Sequence, residues 1–527
     1  MLLVLVLSRE ERVPLKHLYL LQLASAVVVC LLSVSVSANV EPPEGAELSR
    51  IHVQFEWEQV GPADEFDIQV AIDGSDPFQF PIVDERVPSP KLLIVEGLEF
   101  GSQYRWRVRN VLNGVAGVWY PDSAFSIREI SDDFGLQVEV EFGASPPQPG
   151  ITLFNHCDDI VGYDLNGNLV LSIEAPARVS DCKLLGDGRV LFVGGSHAWI
   201  LSLDGDLLWQ SPDGLQVHHC ASMMPSGNVL MLCREYQEVD QDGQVRTWQG
   251  DRVVEMDIST NEEVWSWSTF DYYNTIDYDI YQTNYWNDWT HFNDAHYVEA
   301  DDSIYISCRH LSRITRIDYA TKEIVYNLGM NLPSGDTVVG DDLFSYQHSP
   351  QLLPNGNMVL FDNGNRRGGE PAGANGMTRA IEISLGDELP PVDPQIVWSW
   401  ETPVYCPSTG DADRLANGNT LVTSTQLFGV YEVDLSGGLV WKLSMVETEA
   451  CPGLRPGYRA TRVSSLYGDP TGLCQGDANG NGQVDVSDIL LVLDQWQGSG
   501  SADVNGDGVV NVNDVLVILS AWGDCDD

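Results

Sequence analysis

"PNGNMVLF" (Pro354–Phe361) sets a glycine turn directly ahead of a short run of β-formers, and the unit recurs. Its other copies are "GDGRVLFV" (Gly186–Val193), "PSGNVLML" (Pro225–Leu232), "ADDSIYIS" (Ala300–Ser307) and "ANGNTLVT" (Ala416–Thr423). Glycine or a short polar residue suits a tight reversal, and the apolar run after it reads as a strand. Each copy is followed by a closing hairpin, usually with Asp at its turn and Trp or Tyr beyond it. Examples are "WILSLDGDLLWQ" (Trp199–Gln210), "VVEMDISTNEEVWSW" (Val253–Trp267), "ITRIDYATKEIVYNL" (Ile314–Leu328) and "VYEVDLSGGLVWKL" (Val430–Leu443). With the earlier "IVGYDLNGNLVLSI" (Ile160–Ile173), the chain carries five complete units and a partial sixth. Four-stranded units repeating every roughly 40 to 60 residues are the mark of a β-propeller. The expectation is six blades over residues 150–467, closed by "ITLFNH" (Ile151–His156), by "YRATRVSSLYG" (Tyr458–Gly468), or by both.

Residues 40–128 alternate in polarity through "IHVQFEWEQV", "EFDIQVAID", "YRWRVRNVLNG" and "GVWYPDSAFSI", a β-sandwich pattern with Trp57, Tyr104, Trp106 and Trp119 as core candidates. "GLEFGSQYRWRVR" resembles fibronectin type III domains. "ASPPQPG" (Ala144–Gly150) reads as a linker.

The chain has 527 residues, too many for one core, and a net charge of −49. Such a surface repels nucleic acid and anionic lipid, and suits calcium-containing surroundings. An apolar run, Leu18–Val36, follows Lys16 and His17 and ends in Val36-Ser37-Ala38, a signal-peptidase pattern. Residues 1–38 therefore read as an export signal, and an uncleaved anchor is the alternative. Export to the periplasm, cell surface or medium permits disulfides. Ten cysteines, with Cys30 in the signal, leave an odd number; Cys220 and Cys233 end one expected hairpin, and Cys474 and Cys525 bracket the C-terminal segment.

That segment, 474–525, carries two twelve-residue loops, each followed by an apolar helix. Asp477, Asn479, Asn481, Asp485 and Asp488, then Asp503, Asn505, Asp507, Asn511 and Asp514, put oxygen side chains at positions 1, 3, 5, 9 and 12. Gly482 and Gly508 stand at position 6, and the carbonyls of Gln483 and Val509 complete two hard oxygen shells suited to Ca²⁺. The tandem resembles type I dockerins. The resemblance implies a cohesin domain as partner, with Val486, Ser487, Val512 and Asn513 at the contact positions. It also implies close termini, hence a Cys474–Cys525 disulfide, and association with polysaccharide-processing assemblies.

Within the repeats, His219 lies seven residues before Ser226 and His348 seven before Asn355, so both occupy equivalent blade positions facing one channel mouth. His291 opens the intervening blade. "DWTHFNDAHYVEADDSIYISCRHLSRITRIDYATKEIVYNLG", "QHSPQLLPNGNMVLFDNGNRR" and "GDADRLANGNTLVTSTQLFGVYEVD" resemble exported, nucleotide-independent arylsulfotransferases. The resemblance implies a six-bladed propeller passing a sulfuryl group from a phenyl sulfate to a phenol. His291, His348 and Arg366 match its catalytic positions, with His219, Asn293, Arg309, His310 and Arg367 as secondary candidates. The absence of a P-loop fits a donor that is not a nucleotide. The chain departs from the family in having no His after His348, where the family's nucleophile lies. An earlier His in that role, a different mechanism and lost catalysis all stay open. So do two rival classes, a non-catalytic propeller binding sulfated or phenolic ligands and a polysaccharide-degrading component. The Tyr- and Trp-rich Thr269–Trp289 reads as a lid or as a surface insertion.

Overall fold

The computed structural model describes residues 40–131, 136–156, 158–241, 243–337, 339–367, 376–426, 428–446 and 457–467, then 476, 478, 483–484, 486–496, 502, 504, 510–520 and 523–524. It is mostly β. The export signal, Cys30, Cys474, Cys525 and the calcium-ligand candidates Asp477, Asn479, Asn481, Asp485, Asp503, Asn505, Asp507 and Val509 lie outside the described residues. Among those described, no helix is long and apolar enough to cross a membrane.

Two sheets form the N-terminal part. One orders Val40–Glu41, Val53–Trp57 and Lys91–Ile94; the other is built on Glu65–Ile72 and Gln103–Leu112. Their shared core holds Phe55, Trp57, Phe66, Tyr104, Trp106 and Phe125. Trp119 is not in it. Its half-buried ring lies on the surface between the guanidinium groups of Arg107 and Arg109, 4.4 and 4.2 Å from its centroid. This part is bolted to the next sheet by Ile51 N–H to the Val170 carbonyl (3.0 Å) and Ser172 N–H to the Ser49 carbonyl (2.9 Å). The Arg50 guanidinium seals the joint with Asp204 and Tyr467.

Six antiparallel sheets follow, with inner strands β1 (Val179–Leu184), β2 (Val217–Met223), β3 (Phe292–Val298), β4 (His348–Leu352), β5 (Asp411–Arg414) and β6 (Ala460–Val463). β1 to β4 each lead a four-stranded sheet. β5 leads a sheet that gains a fifth, outer strand, Gln137–Phe142. β6 pairs with Ile151–His156, so both segments expected to close the repeat share one sheet. Successive inner strands from β1 to β5 are neighbours, β6 lies against Thr420–Ser424, and its partner Ile151–His156 lies against β1. All six inner strands reach one cavity of about 350 Å³, through Asp181, Ser222, Asp294, Gln351, Asp413 and Thr461.

The repeated turn explains the repeated sheet. Gly227, Gly356 and Gly418 hold φ of 82°, 81° and 86°, and Asp302 takes the same left-handed place at 46°. The next residue reaches across the hairpin to the third strand. Asn228 Nδ2 donates to Glu255 Oε1 (2.7 Å), Asn357 Nδ2 to Glu382 Oε1 (2.6 Å) and Asn419 Nδ2 to Glu432 Oε1 (2.8 Å). The fourth copy reverses polarity, with Arg316 Nε donating to Ser303 Oγ (2.9 Å). Each Glu also binds the following sheet: Glu255 accepts from Tyr319 Oη (2.6 Å), Glu382 from Arg414 Nη2 (2.6 Å) and Glu432 from Arg462 Nη1 (3.3 Å).

At the C-terminus, α1 (Val486–Asp494) and α2 (Val512–Ser520) share a small core of Val484, Val492, Val510 and Ile518. Asp488 and Asp514, in the first turns, are fully buried, and Asn511 N–H donates to Asp514 Oδ2 (2.7 Å). Gln483 lies in a two-residue strand paired with Gly523–Asp524. The apolar stripe divides: Val492 and Ile518 face inward, while Leu490, Leu493, Trp496, Leu516 and Leu519 face solvent.

The Glu432–Arg462 side chains are fully buried, so removing one partner strands the other charge. Glu432→Ala is expected to cost about 3–5 kcal/mol of stability, read as a shift in the denaturant midpoint. Leu435→Ala, at an exposed turn, should fall within about 0.5 kcal/mol of the parent.

Candidate active site

Four inner strands begin with a departure from regular pleat. β1 is bulged between Val179 and Asp181, β2 between Val217 and Ala221, β3 between Phe292 and Asp294, and β4 between His348 and Gln351. His219, His291 and Ser349 take φ of 58°, 50° and 49°, and Arg366 and Thr409 take 56° and 61°. Each such residue costs about 1–3 kcal/mol. A bulge frees adjacent side chains from strict alternation and re-aims them. Here it gathers histidines.

The ring centroids of His219 and His291 are 4.8 Å apart, and those of His291 and His310 4.5 Å. His219 Nδ1 lies 2.6 Å from His218 Nδ1, and His218 Nε2 lies 3.0 Å from Asp251 Oδ1. His291 Nδ1 is 2.6 Å from Asp288 Oδ2, and His310 Nδ1 is 2.6 Å from the Asp288 carbonyl. His348 Nδ1 is 2.6 Å from Asn363 Oδ1, whose amide nitrogen donates to the Cys406 and Thr409 carbonyls (2.8 and 2.9 Å). Those acceptors place the proton on Nδ1 of His291, His310 and His348, leaving Nε2 as the bare nitrogen of each. Burial lowers the pKa of all three, and of His219, below the ordinary 6.5; His348 falls to about 3, with the Arg309 charge adding to desolvation. His219, His291, His310 and His348 are therefore neutral at rest.

Fixed positive charge comes from arginines. Arg309, held by the Pro407 carbonyl (2.9 Å), lies over the Tyr346 ring at 4.9 Å, and Arg366 approaches the same ring at 6.0 Å. Arg366 also stacks on Tyr281 (4.7 Å), and its Nη1 is 3.9 Å from Asp279 Oδ1. Asp279 and Tyr281 belong to the aromatic insertion. That segment is packed rather than loose: Trp289 is buried, and Asp277 and Arg313, both fully buried, pair at 2.7 Å. Arg367 does not share this site, because its guanidinium pairs with buried Asp362 beside Arg379. Asn293 is buried, and its Nδ2 donates to the Gln347 carbonyl (2.7 Å), which makes it a spacer between β3 and β4.

A cavity of about 840 Å³ opens against His218, His219 and Tyr458. His291 and His348 meet its wall through ring contacts with His219 and Tyr458 respectively. Arg178 and Arg234 also line it, and among the described residues no Asp or Glu does. Sequence reading missed both arginines and Tyr458; the placement of Arg178 just before β1 was the available signal. Cys220 and Cys233 do not pair. Both are free and buried, and Cys233 stands opposite Val217 rather than Cys220.

A family model described as arylsulfotransferase matches residues 140–437, more than half of the chain. The chain belongs to the arylsulfotransferase family. The match spans His219, His291, His310, His348, Arg309 and Arg366, and ends before Tyr458. No curated protein matches. Among solved structures, a protein of unknown function from Bacteroides caccae is 13% identical over 56% of this chain and 94% of its own, with a TM-score of 0.38. An auxiliary nutrient binding protein from Bacteroides ovatus is 10% identical over 76% and 85%, with a TM-score of 0.33. The Pan2 WD40 domain of Neurospora crassa is 10% identical over 60% and 91%, also at 0.33. Likenesses this low say nothing of what the chain acts on.

In His348 the folded pKa is depressed, so its contribution to stability is complete above 6.5 and is lost as pH falls toward about 3. His348→Gln should flatten the acid side of the stability profile across that window, measured by denaturant melts at stepped pH. An anion beside these imidazoles favours their charged form. Binding of an anion such as sulfate in this cavity should therefore take up protons, measured by calorimetry in buffers of different ionisation enthalpy.

Proposed function

We propose that the six sheets are the blades of a propeller and that its histidine-lined mouth transfers a sulfuryl group from a phenolic sulfate ester to a phenolic acceptor. The observation carrying this reading is a cavity walled by Arg178 and Arg234, with no carboxylate among the described residues, in a chain of net charge −49. Sulfuryl transfer develops charge on nonbridging oxygens and on the departing phenoxide, so positioned cations and proton donors dominate its catalysis. Arg178, Arg234, Arg309 and Arg366 would meet the oxygens. His348 and His291, each with Nδ1 committed and Nε2 bare, would relay the proton between leaving and attacking phenols. Tyr281 and Tyr346 offer aromatic faces beside Arg366.

The N-terminal sheets are, in this reading, a fibronectin type III-like domain, and residues 474–525 a dockerin-like tether on an exported protein. Two observations support the tether. Asp488 and Asp514, the twelfth residues of both loops, are buried carboxylates in helix first turns, which fits a Ca²⁺ ligand set. α1 and α2 also present matching apolar residues, Val486 with Val512 and Leu490 with Leu516, to solvent. Such duplicated faces suit a cohesin-like partner, with Ser487 and Asn513 beside them.

The test is purified protein with a chromogenic phenyl sulfate, with and without added phenol. Acceptor-dependent release is expected; acceptor-independent release indicates hydrolysis, and none leaves a binding propeller. His348→Ala and Arg366→Ala should each lower turnover at least about a hundredfold. His310→Ala should also impair it, since its ring adjoins His291. Chelation should unfold residues 476–523 and leave the sheets intact, read by amide exchange. Unchanged protection there would remove the calcium reading.

A further inference from the structure

Tyr458 precedes β6, and its ring stands between two histidines, with centroids 5.9 Å from His219 and 6.1 Å from His348. Its backbone is pinned. The Asn155 carbonyl accepts from Gly457 N–H and Asn155 Oδ1 from Tyr458 N–H, both at 2.9 Å, while the Tyr458 carbonyl accepts from Gly410 N–H at 3.3 Å. Gly457 has φ of 68°, and a Cβ there would lie 1.8 Å from the Phe428 ring, so only glycine fits. The hydroxyl positioned by this anchoring is buried and has no hydrogen-bond partner among the described residues. The Tyr326 and Tyr405 hydroxyls also lack one, but neither residue lines the cavity, whereas Tyr458 does. An unsatisfied buried hydroxyl costs about 1–3 kcal/mol. At the wall of an arginine-bearing cavity, that loss is recovered by whatever binds there.

A phenol is also the class of acceptor this site would serve. We infer that Tyr458 is itself a sulfuryl acceptor, its Oη taking the group from the donor ester and passing it to the second phenol. This rests on the transfer reading above. In the first half, the Oη–S bond forms as the donor's phenolic O–S bond breaks. The Tyr458 proton passes to the imidazole of His219 or His348 and on to the departing phenoxide. The second half reverses these moves: the acceptor phenol gives its proton to the imidazole, its oxygen bonds to sulfur, and Tyr458 regains a proton as the Oη–S bond breaks. No oxidant or further reactant enters. Burial holds the Tyr458 hydroxyl protonated at rest, so a base is required, and the unprotonated imidazoles beside it meet that need. One cavity then serves both phenols in turn.

The full-length protein treated with 4-nitrophenyl sulfate alone should release a stoichiometric burst of nitrophenol. Peptide mapping should find one sulfuryl group, assigned by fragment ions to Tyr458. Tyr458→Phe keeps the ring contacts and should lose the burst, with acceptor-dependent turnover down at least about a hundredfold. Wild-type protein that transfers with Tyr458 unmodified, and a Tyr458→Phe variant that transfers as well, would overturn the inference alone. Wild-type protein that releases no nitrophenol under any acceptor would overturn the transfer reading with it.

Discussion

One buried glutamate, repeated at the same register in three of the six sheets, ties each of them to the sheet that follows. Glu255, Glu382 and Glu432 each accept from the Asn of their own first turn and from a donor on the following sheet. A buried carboxylate is costly unless its oxygens are met, so the contact is obligatory on both sides at once. It fixes how far each of these three hairpins sits from the sheet that follows. Part of the candidate site lies at inner-strand starts, with His219 on β2, His291 before β3, His348 at the start of β4 and Tyr458 before β6, while Arg309, His310 and Arg366 follow second strands.

The site itself is built from locally unfavourable choices. Non-glycine residues in left-handed backbone, neutral buried imidazoles and a guanidinium away from water would each weaken an ordinary core. Together they produce a region poised for an anion. Arg178, Arg234, Arg309 and Arg366 supply the guanidinium groups, while burial lowers the pKa of His219, His291, His310 and His348. In the proposed transfer a chain of net charge −49 needs this local reversal, because bulk electrostatics oppose the approach of an anionic ester.

Much of this was legible in the sequence. The glycine turns predicted the hairpins, and the equal spacing of His219 and His348 before their turns brought both to one region, because a strand repeat conserves height. The glutamates in "VEMD", "IEIS" and "YEVD" were visible but carry meaning only once register pairs them with the turn Asn. Alternation placed Trp119 in a core, yet its neighbours Arg107 and Arg109 draw the ring to the surface. Arg366 and Arg367 are adjacent in sequence, and only the buried Asp362 decides which one leaves the site. Tyr458 and Arg234 belong to no motif; their role follows from closing six sheets around one axis in the proposed propeller, which brings residues far apart in sequence to one wall.

The central claim is that this cavity receives a sulfuryl group. The most direct measurement is a crystal structure of the full chain with a non-transferable phenyl sulfonate bound. The account predicts the sulfonate oxygens within hydrogen-bond reach of His219 and of at least one of Arg178 and Arg234, with its sulfur facing Tyr458 Oη. A sulfonate seated on the outer strands, or a cavity left without it at saturating concentration, would contradict the account.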